Sequence, residues 1–355
     1  MNAIALLQEN LPESIEAVWI EDEADRFYLT GMKSSAGTVL VTRAAAWLLI
    51  DFRYVEEAEA KVKNCTVLEQ KNLFAQAASL LRESGVKRLS VLSSRLTVSR
   101  FREMAARLPD VALDASGALD RLLASLRAHK CAEEAGWHRE AQRITDETFT
   151  HICGFIRPGL TEIEIAQEIG TTLTRLGSDD KTFNFIVASG PNSSLPHGFA
   201  THRRVESGDF ITMDFGAVKN GRLADMTRTV ALGAVSAEQK KVYDVVLEAQ
   251  KRAFEKIRPG VPCREVDGAA RGYIYSMDYE GCFSHGLGHS VGVEVHEDPR
   301  FNETDETPLA PGTVITVEPG VYLKHRFGVR IEDMVLVTPD GFEDFTKSEK
   351  TLIIL

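Results

Sequence analysis

Cysteine is scarce and unpatterned in this chain. There are five, Cys65, Cys131, Cys153, Cys263 and Cys282, scattered and outside any CxxC spacing. That excludes a disulfide framework and a cysteine-based zinc site, and it reads as reduced thiols in a cytosolic protein. Positive charge is in deficit, with 41 Lys and Arg against 52 Asp and Glu and a net charge of −11. Nucleic acid and anionic membrane are excluded as main partners, because nothing would offset phosphate repulsion. Long apolar runs are missing too. The longest is AAAWLLI at 44–50, far short of the ~20 residues of a membrane span. The opening MNAIALLQENLPE has no cationic region, and its apolar run is too short for a signal peptide. A Gly-rich phosphate loop is absent from the N-terminal third, so nucleotide binding has no support there.

What is present points to two domains. A length of 355 residues favours two over one, and 44% apolar residues are enough for real cores. Residues 1 to about 120 alternate short strands (AVWI, GTVLVT, WLLID, TVLEQ, RLSVL) with helices after Arg53, over NLFAQAASLLRESG and after Ser94. This is an α/β layout. A charged helical stretch at 118–131 carries the boundary, placed between a domain over 1–122 and a domain over 123–355. A long amphipathic helix follows, with Ala141, Ile144, Thr148, Ile152 and Phe155 at spacings of three and four. It stops at Arg157-Pro158-Gly159, and Thr161-x-x-Glu164 caps the next helix.

The same order of signals then returns. FIRPGLTEIEIAQ at 155–167 is echoed by KIRPGVPCREVDG at 256–268, and ITMDFG at 211–216 by ITVEPG at 315–320. Two repeats are too few for a solenoid, so the second domain reads as two pseudo-symmetric halves. Packed about a two-fold axis, they would bring Asp214 and Glu318 face to face. In the first half, Asn220-Gly221 is the strongest hairpin turn of the chain. It sets Lys219 opposite Arg222, Asp214 opposite Thr227 and Gly216 opposite Asp225. Asp214 and Asp225 become diagonal neighbours on one face, roughly 7–8 Å apart at the backbone. In the second half GVRIED offers Glu332 and Asp333, of which alternation lets one face the same side. The residues alone leave that choice open, and aligning LADM with RIEDM pairs Asp225 with Asp333. SHGLGHSVGVEVHEDP at 284–299 adds His285, His289 and His296 among glycines, and SLPHG adds His197.

Taken singly, each feature has an ordinary reading: a strand Asp near a turn as a cap, a Gly–His segment as a loop, an acid pair as surface charge. Their conjunction favours a carboxylate-rich metal site. Four close carboxylates stay ionised together only with about the charge of two divalent cations between them. One His among hard oxygen ligands suits Mn²⁺, Co²⁺ or Fe²⁺ better than a structural zinc site.

At these residues the chain resembles the proline-specific metallopeptidases, the Xaa-Pro dipeptidases (prolidases) and Xaa-Pro aminopeptidases. RFYLTGMKSSAGTVLVT and LLIDFRYVEEA are similar to that family's creatinase-type N-terminal α/β domain. Asp-x10-Asp, HGxGHxxGxxVHE, EPGxY and GVRIED, in this order, are similar to its pita-bread α+β catalytic domain. The resemblance implies five ligands for two divalent ions, Mn²⁺ foremost, with Co, Fe or Zn as alternatives. Asp214 would serve one ion, His289 and Glu318 the other, with Asp225 and Glu332 bridging. It further implies that His197, His285 and His296 line the substrate site and that Arg330 and Tyr322 stand behind the ligands. Catalysis would fall to Glu318, His197 and His296, around a hydroxide held between the cations. The implied reaction is cleavage before proline in short peptides. A cytoplasmic homodimer is implied as well, its N-terminal domain limiting the cleft. Arg222, Ala224 and Ser290 depart from the family's usual Tyr, Ser and Gly, and none is a ligand. The alternatives on the same fold are a metal-independent creatinase-like hydrolase and a non-catalytic binding protein. Methionine aminopeptidases share the core but usually lack the N-terminal domain.

Overall fold

The computed structural model describes residues 2–180 and 185–355. The chain divides into two compact units, residues 1–127 and 128–355. The first runs α1 (Ala3–Asn10), β1 (Ala17–Ile20), α2 (Glu23–Thr30), β2 (Thr38–Thr42), β3 (Ala46–Ile50), α3 (Val55–Lys61), β4 (Thr66–Glu69), α4 (Leu73–Glu83), β5 (Arg88–Val91), α5 (Val98–Arg107), β6 (Ala112–Asp114) and α6 (Ala118–Ala128). Its sheet has the order β4-β3-β2-β1-β5-β6. β1–β2 and β2–β3 pair antiparallel, the other neighbours parallel. β1 is buried along its whole length, as a central strand covered on both faces should be. The expected strands and helices of this unit are present. α1 and α2 lie outside the expectation because eight residues are too short for periodicity to register. Their marks are the side-chain caps Asn2 and Asp22. The boundary drawn at 122/123 falls inside α6. Asp120 on that helix accepts hydrogen bonds from Ser93 and Ser94, which anchors α6 to the first unit.

The second unit begins with α7 (Ala132–Phe155), α8 (Glu162–Arg175), β7 (Ile186–Ser189), β8 (Phe210–Phe215), β9 (Val218–Lys219), β10 (Arg222–Leu223) and β11 (Met226–Ala231). It continues with α9 (Ala237–Phe254), α10 (Cys263–Ser276), β12 (Gly288–Ser290), β13 (Glu297–Phe301), β14 (Val314–Val317), β15 (Gly320–Leu323), β16 (Phe327–Arg330), β17 (Asp333–Thr338) and β18 (Gly341–Asp344). The repeat read from IRPG and the two ITxxxG strands is a repeat of architecture. Each half has a long helix, a Pro-Gly turn and a second helix. Each then has a strand, a break, a two-strand hairpin, a second break and a returning strand. Two sheets result, β11-β8-β7 and β13-β12-β14-β17-β18. One apolar core joins α7 and α8 to the first sheet, a second joins α9 and α10 to the other.

A buried arginine locks the halves together. Arg228 on β11 donates to the carbonyls of Thr227 (3.0 Å), Glu332 (2.6 Å), Ser348 (2.9 Å) and Glu349 (3.0 Å) and ion-pairs with Asp333 at 2.7 Å. It is 1% exposed, and Asp333 is fully buried. Removing Arg228 leaves buried Asp333 to Lys350 alone and strips four carbonyls of a donor, and breaking a buried pair of this kind costs about 3–5 kcal/mol. Arg228→Met is therefore expected to lower Tm by roughly 10 °C. Thermal unfolding followed by circular dichroism measures this. A shift within 2 °C would remove the arginine from this role.

Candidate metal centre

The acids reach one place because of local turn chemistry. Asn220 and Gly221 take φ of 45° and 68°, the left-handed pair a two-residue hairpin needs. The register follows, with Arg222 against Lys219, Thr227 against Asp214 and Met226 against Phe215. Asp225 sits in the break just before β11. Glu318 and Glu332 occupy the corresponding breaks after β14 and before β17. His289 rides on β12, which lies so close to β14 that a Cβ on Gly288 would meet the Thr316 carbonyl oxygen at 2.0 Å. Gly216 is as tightly placed, 1.8 Å from the Ala224 carbonyl oxygen by the same measure. Any side chain at either position would push outward the strand that carries Asp214 or His289.

These residues line a cavity of about 590 Å³. Asp214, Asp225, His289, Glu318, Glu332, His197, His285, His296 and Arg330 all reach its wall. Tyr322 stands behind it, hydrogen-bonded to His285 and Arg330. Asp333 is absent from the cavity wall. Alternation turns it to the opposite face, where Arg228 and Lys350 hold it. The pairing of Asp225 with Asp333 suggested by aligning LADM with RIEDM is thereby corrected in space: Glu332 is the acid on Asp225's side.

The electrostatics of this cluster are those of a site made for cations. Burial pushes the Glu318 carboxyl up to about 8, with Asp214 adding to the rise against the pull of Arg330. Asp225 and Glu332 are raised well above the ordinary range, first by burial and then by the neighbouring acids. Asp214 is raised by burial against the opposing pull of Arg330. His289 is neutral, since burial and the adjacent His296 ring hold it down at about 3. Its Nδ1 lies 3.2 Å from the Ser290 carbonyl oxygen, which can only accept, so Nδ1 carries the proton. The lone pair of Nε2 then faces Glu318 at 3.4 Å and Asp225 at 3.6 Å. One ligand atom each from Asp225, His289 and Glu332 lie mutually within 4.8 Å. Asp214 Oδ1 is buried without a hydrogen-bond partner. Acceptors aimed at acceptors in a buried space repel unless a cation lies between them. The donor set, four carboxylates and one imidazole, fits hard divalent ions such as Mn²⁺ or Co²⁺.

Arg330 braces the cluster without filling it. Its guanidinium donates to Asp214 Oδ2 (2.5 Å), Thr227 Oγ1 (2.9 Å), the Pro196 carbonyl (2.9 Å) and Tyr322 (3.1 Å). Thr227 Oγ1 in turn donates to Glu332 Oε2 at 2.6 Å. His285 is held down at about 4 by burial and Arg330. Its Nδ1–H donates to the Gly286 carbonyl (2.8 Å), so its Nε2 accepts from the Tyr322 hydroxyl at 2.9 Å. The proton sense of this chain is thus fixed from Arg330 through Tyr322 to His285. Thr227 is missing from the sequence-derived site, although its place opposite Asp214 in the hairpin was a usable signal. Phe199 and Val295, which give the cavity an apolar side, carry no signal at all in the sequence.

A metal-dependent hydrolase is the class this fold and cavity define, and the comparisons with known proteins agree. The model of metallopeptidase family M24 matches residues 136–339, and the creatinase/prolidase N-terminal domain matches residues 4–129. The chain belongs to metallopeptidase family M24. It is 35% identical over 346 residues to the Xaa-Pro dipeptidase of Pyrococcus horikoshii, covering 96% of this chain and 95% of that one. Among solved structures it is similar to an Xaa-Pro dipeptidase from Bacillus anthracis, with TM-score 0.94, 38% identity and 99% of each chain covered. It is also similar to an X-Pro aminopeptidase from Thermotoga maritima, with TM-score 0.91, 33% identity, and 98% of this chain and 99% of that chain covered. The fold is accordingly the two-domain creatinase and pita-bread architecture. No helix of the described residues is long and apolar enough to cross a membrane.

Proposed function

We propose that this metallopeptidase hydrolyses the peptide bond before proline at the N-terminus of short peptides, as an Xaa-Pro dipeptidase or aminopeptidase using two divalent cations, Mn²⁺ foremost. One observation carries the reading: Asp214, Asp225, His289, Glu318 and Glu332 converge on one cavity, where Asp214 Oδ1 is buried without a hydrogen-bond partner. The similar proteins named for Xaa-Pro activities supply the substrate class. These five side chains would hold the cations. When bound, the ions supply Lewis acidity that acidifies a water and polarises the scissile carbonyl.

The remaining chemistry belongs to the chain. Glu318, on the cavity wall, would act as the base that takes a proton from the attacking water and passes it to the departing proline nitrogen. That nitrogen bears no hydrogen in the peptide, so it leaves readily only once protonated. His296 packs edge-on against His289, ring centroids 4.3 Å apart. It is kept neutral by burial and by Arg300. As a neutral donor, with His197 across the cavity, it stabilises the oxygen of the tetrahedral intermediate. His285, Tyr322 and Arg330 keep the substrate wall and the Asp214 carboxylate in fixed orientation. A homodimeric assembly and a cytosolic location are parts of the same reading.

The test is a length series, Xaa-Pro dipeptides beside longer Xaa-Pro peptides and Xaa-Ala controls, with Mn²⁺, Co²⁺ or Zn²⁺ restored to chelated protein. Cleavage confined to the bond before proline is expected, and the longest peptide cut separates dipeptidase from aminopeptidase. Inactivity towards every Xaa-Pro substrate with each ion, or cleavage inside a folded-length protein, would sink the proposal.

A further inference from the structure

Glu318 and Glu332 hang from strand breaks, where the sheet ladder that normally fixes a backbone is interrupted. Something else must hold the two peptide planes if the carboxylates are to keep fixed positions. The amide hydrogens are accounted for: Glu318 N–H donates to the Leu287 carbonyl at 2.8 Å, and Glu332 N–H donates to the Thr227 carbonyl at 3.0 Å. The carbonyls on the other side of those same peptide bonds belong to Val317 and Ile331. Both accept from a single side chain, the Nε2 amide of Gln250, at 3.0 Å and 3.3 Å.

Gln250 lies on the buried face of α9 and is fully buried. Its Oε1 has no hydrogen-bond partner. The amide thus leaves its own acceptor unsatisfied while both N–H bonds go to the peptide planes carrying the glutamates. Turned over, it would set an oxygen against two carbonyl oxygens, so the orientation is dictated by its partners. An unsatisfied buried acceptor is destabilising, whereas an apolar residue at this helix position would incur no such cost. In the other half a buried polar side chain also reaches the backbone near a candidate ligand: His138, fully buried on α7, directs Nδ1 at the carbonyl of Leu223, the last residue of β10 and two before Asp225, 2.7 Å away.

We infer that Gln250 is a positioning residue of the metal centre, tying the backbones of Glu318 and Glu332 together so that both carboxylates address the same pair of cations. The inference rests on the two-cation reading above. It concerns the chain's preparation for metal: without this tie the two breaks are joined, among the described residues, only by the long Ile331 N–H to Pro319 carbonyl bond of 3.4 Å, the glutamate backbones loosen against each other, and the cost falls on ion binding. Groups that orient ligands typically contribute 10–100-fold to metal affinity.

The experiment titrates Mn²⁺ calorimetrically into the chelated full-length chain and follows the spin-coupled two-ion signal by electron paramagnetic resonance. Gln250→Met keeps the shape and loses both donors. Gln250→Glu, protonated in this buried setting, keeps one. Tyr243→Phe is the control on the same helix. Its hydroxyl donates to the Lys350 carbonyl at 2.9 Å, remote from the cavity wall. The expected order of affinity for the weaker ion is wild type, then Glu, then Met, with Met down about 10-fold and its coupled signal diminished. Tyr243→Phe is expected to lose thermal stability with wild-type ion binding. Wild-type Mn²⁺ affinity and coupling in the glutamine variants, whatever their Tm, would overturn the inference. Should the Met variant not fold, the Glu variant decides alone by the same reading. A wild-type chain that binds no cation overturns the two-cation proposal itself, a distinct result.

Discussion

Glu332→Gln is expected to lower kcat/KM on an Xaa-Pro substrate by roughly 10³-fold or more, at about 1.4 kcal/mol per factor of ten. The substitution keeps the size of the side chain and an oxygen to accept from Thr227 Oγ1, which lies 2.6 Å from Glu332 Oε2. What it removes is an anionic oxygen in the middle of the cluster, replacing it with an N–H₂ group that repels cations. Without cations the sign reverses. Glu332 is held far above its ordinary pKa by burial and by Asp225, Glu318 and Asp214. The neutral amide relieves that crowding, so the chelated variant should melt higher than the chelated wild type at pH 8. Loss of activity with raised apo stability separates a ligand from a residue that merely supports the fold. A variant with more than a tenth of wild-type activity would place Glu332 outside the cation set.

The second large effect concerns metal removal and its pH dependence. In the chelated protein, Glu318 at about 8 stays protonated over a range in which the unfolded chain, with that carboxyl near its ordinary 4.5, is already ionised. Asp225 and Glu332 behave in the same direction. The folded state therefore holds more protons. The stability these groups contribute is complete below about pH 4.5 and is lost as pH rises towards 8. Cations compete with those protons, so the metal-loaded protein should gain stability with pH over the same window. The informative quantity is the Tm difference between loaded and chelated protein, because groups elsewhere cancel. It should widen from pH 5 to pH 8 by roughly 10 °C or more, while chelation abolishes peptidase activity. A difference that stays flat across that window would show that these carboxylates do not exchange protons for metal.

Much of this centre was legible in the residues, for reasons that are local. The Asn220-Gly221 turn determines the hairpin register, and that register alone puts Asp214 opposite Thr227, with Asp225 two residues before Thr227 in the chain. The repeated IRPG and ITxxxG segments exposed the two halves because each marks the same helix stop or buried strand. The N-terminal strands were readable as short runs bounded by turn signals. α1 and α2 were not, being too short for periodicity. The end of α6 carries no local mark, because the hydrogen bonds that tie Asp120 to Ser93 and Ser94 join residues 26 or 27 apart.

By itself the sequence determined which chemistry is available: hard oxygen ligands, one ring nitrogen among them, carried on turns and strands whose local geometry the side chains dictate. The tertiary structure alone decided which neighbour does what. Glu332 faces the cavity and Asp333 does not, because Arg228, reaching from a strand more than 100 residues away in the chain, claims Asp333. Arg330 bonds Asp214 across a separation of 116 residues, and Gln250 bonds Val317 and Ile331 across 67 and 81. Such partnerships have no local signature. Hydrogen-bond geometry depends on atoms brought within about 3 Å, and only the packing of one half against the other supplies that proximity.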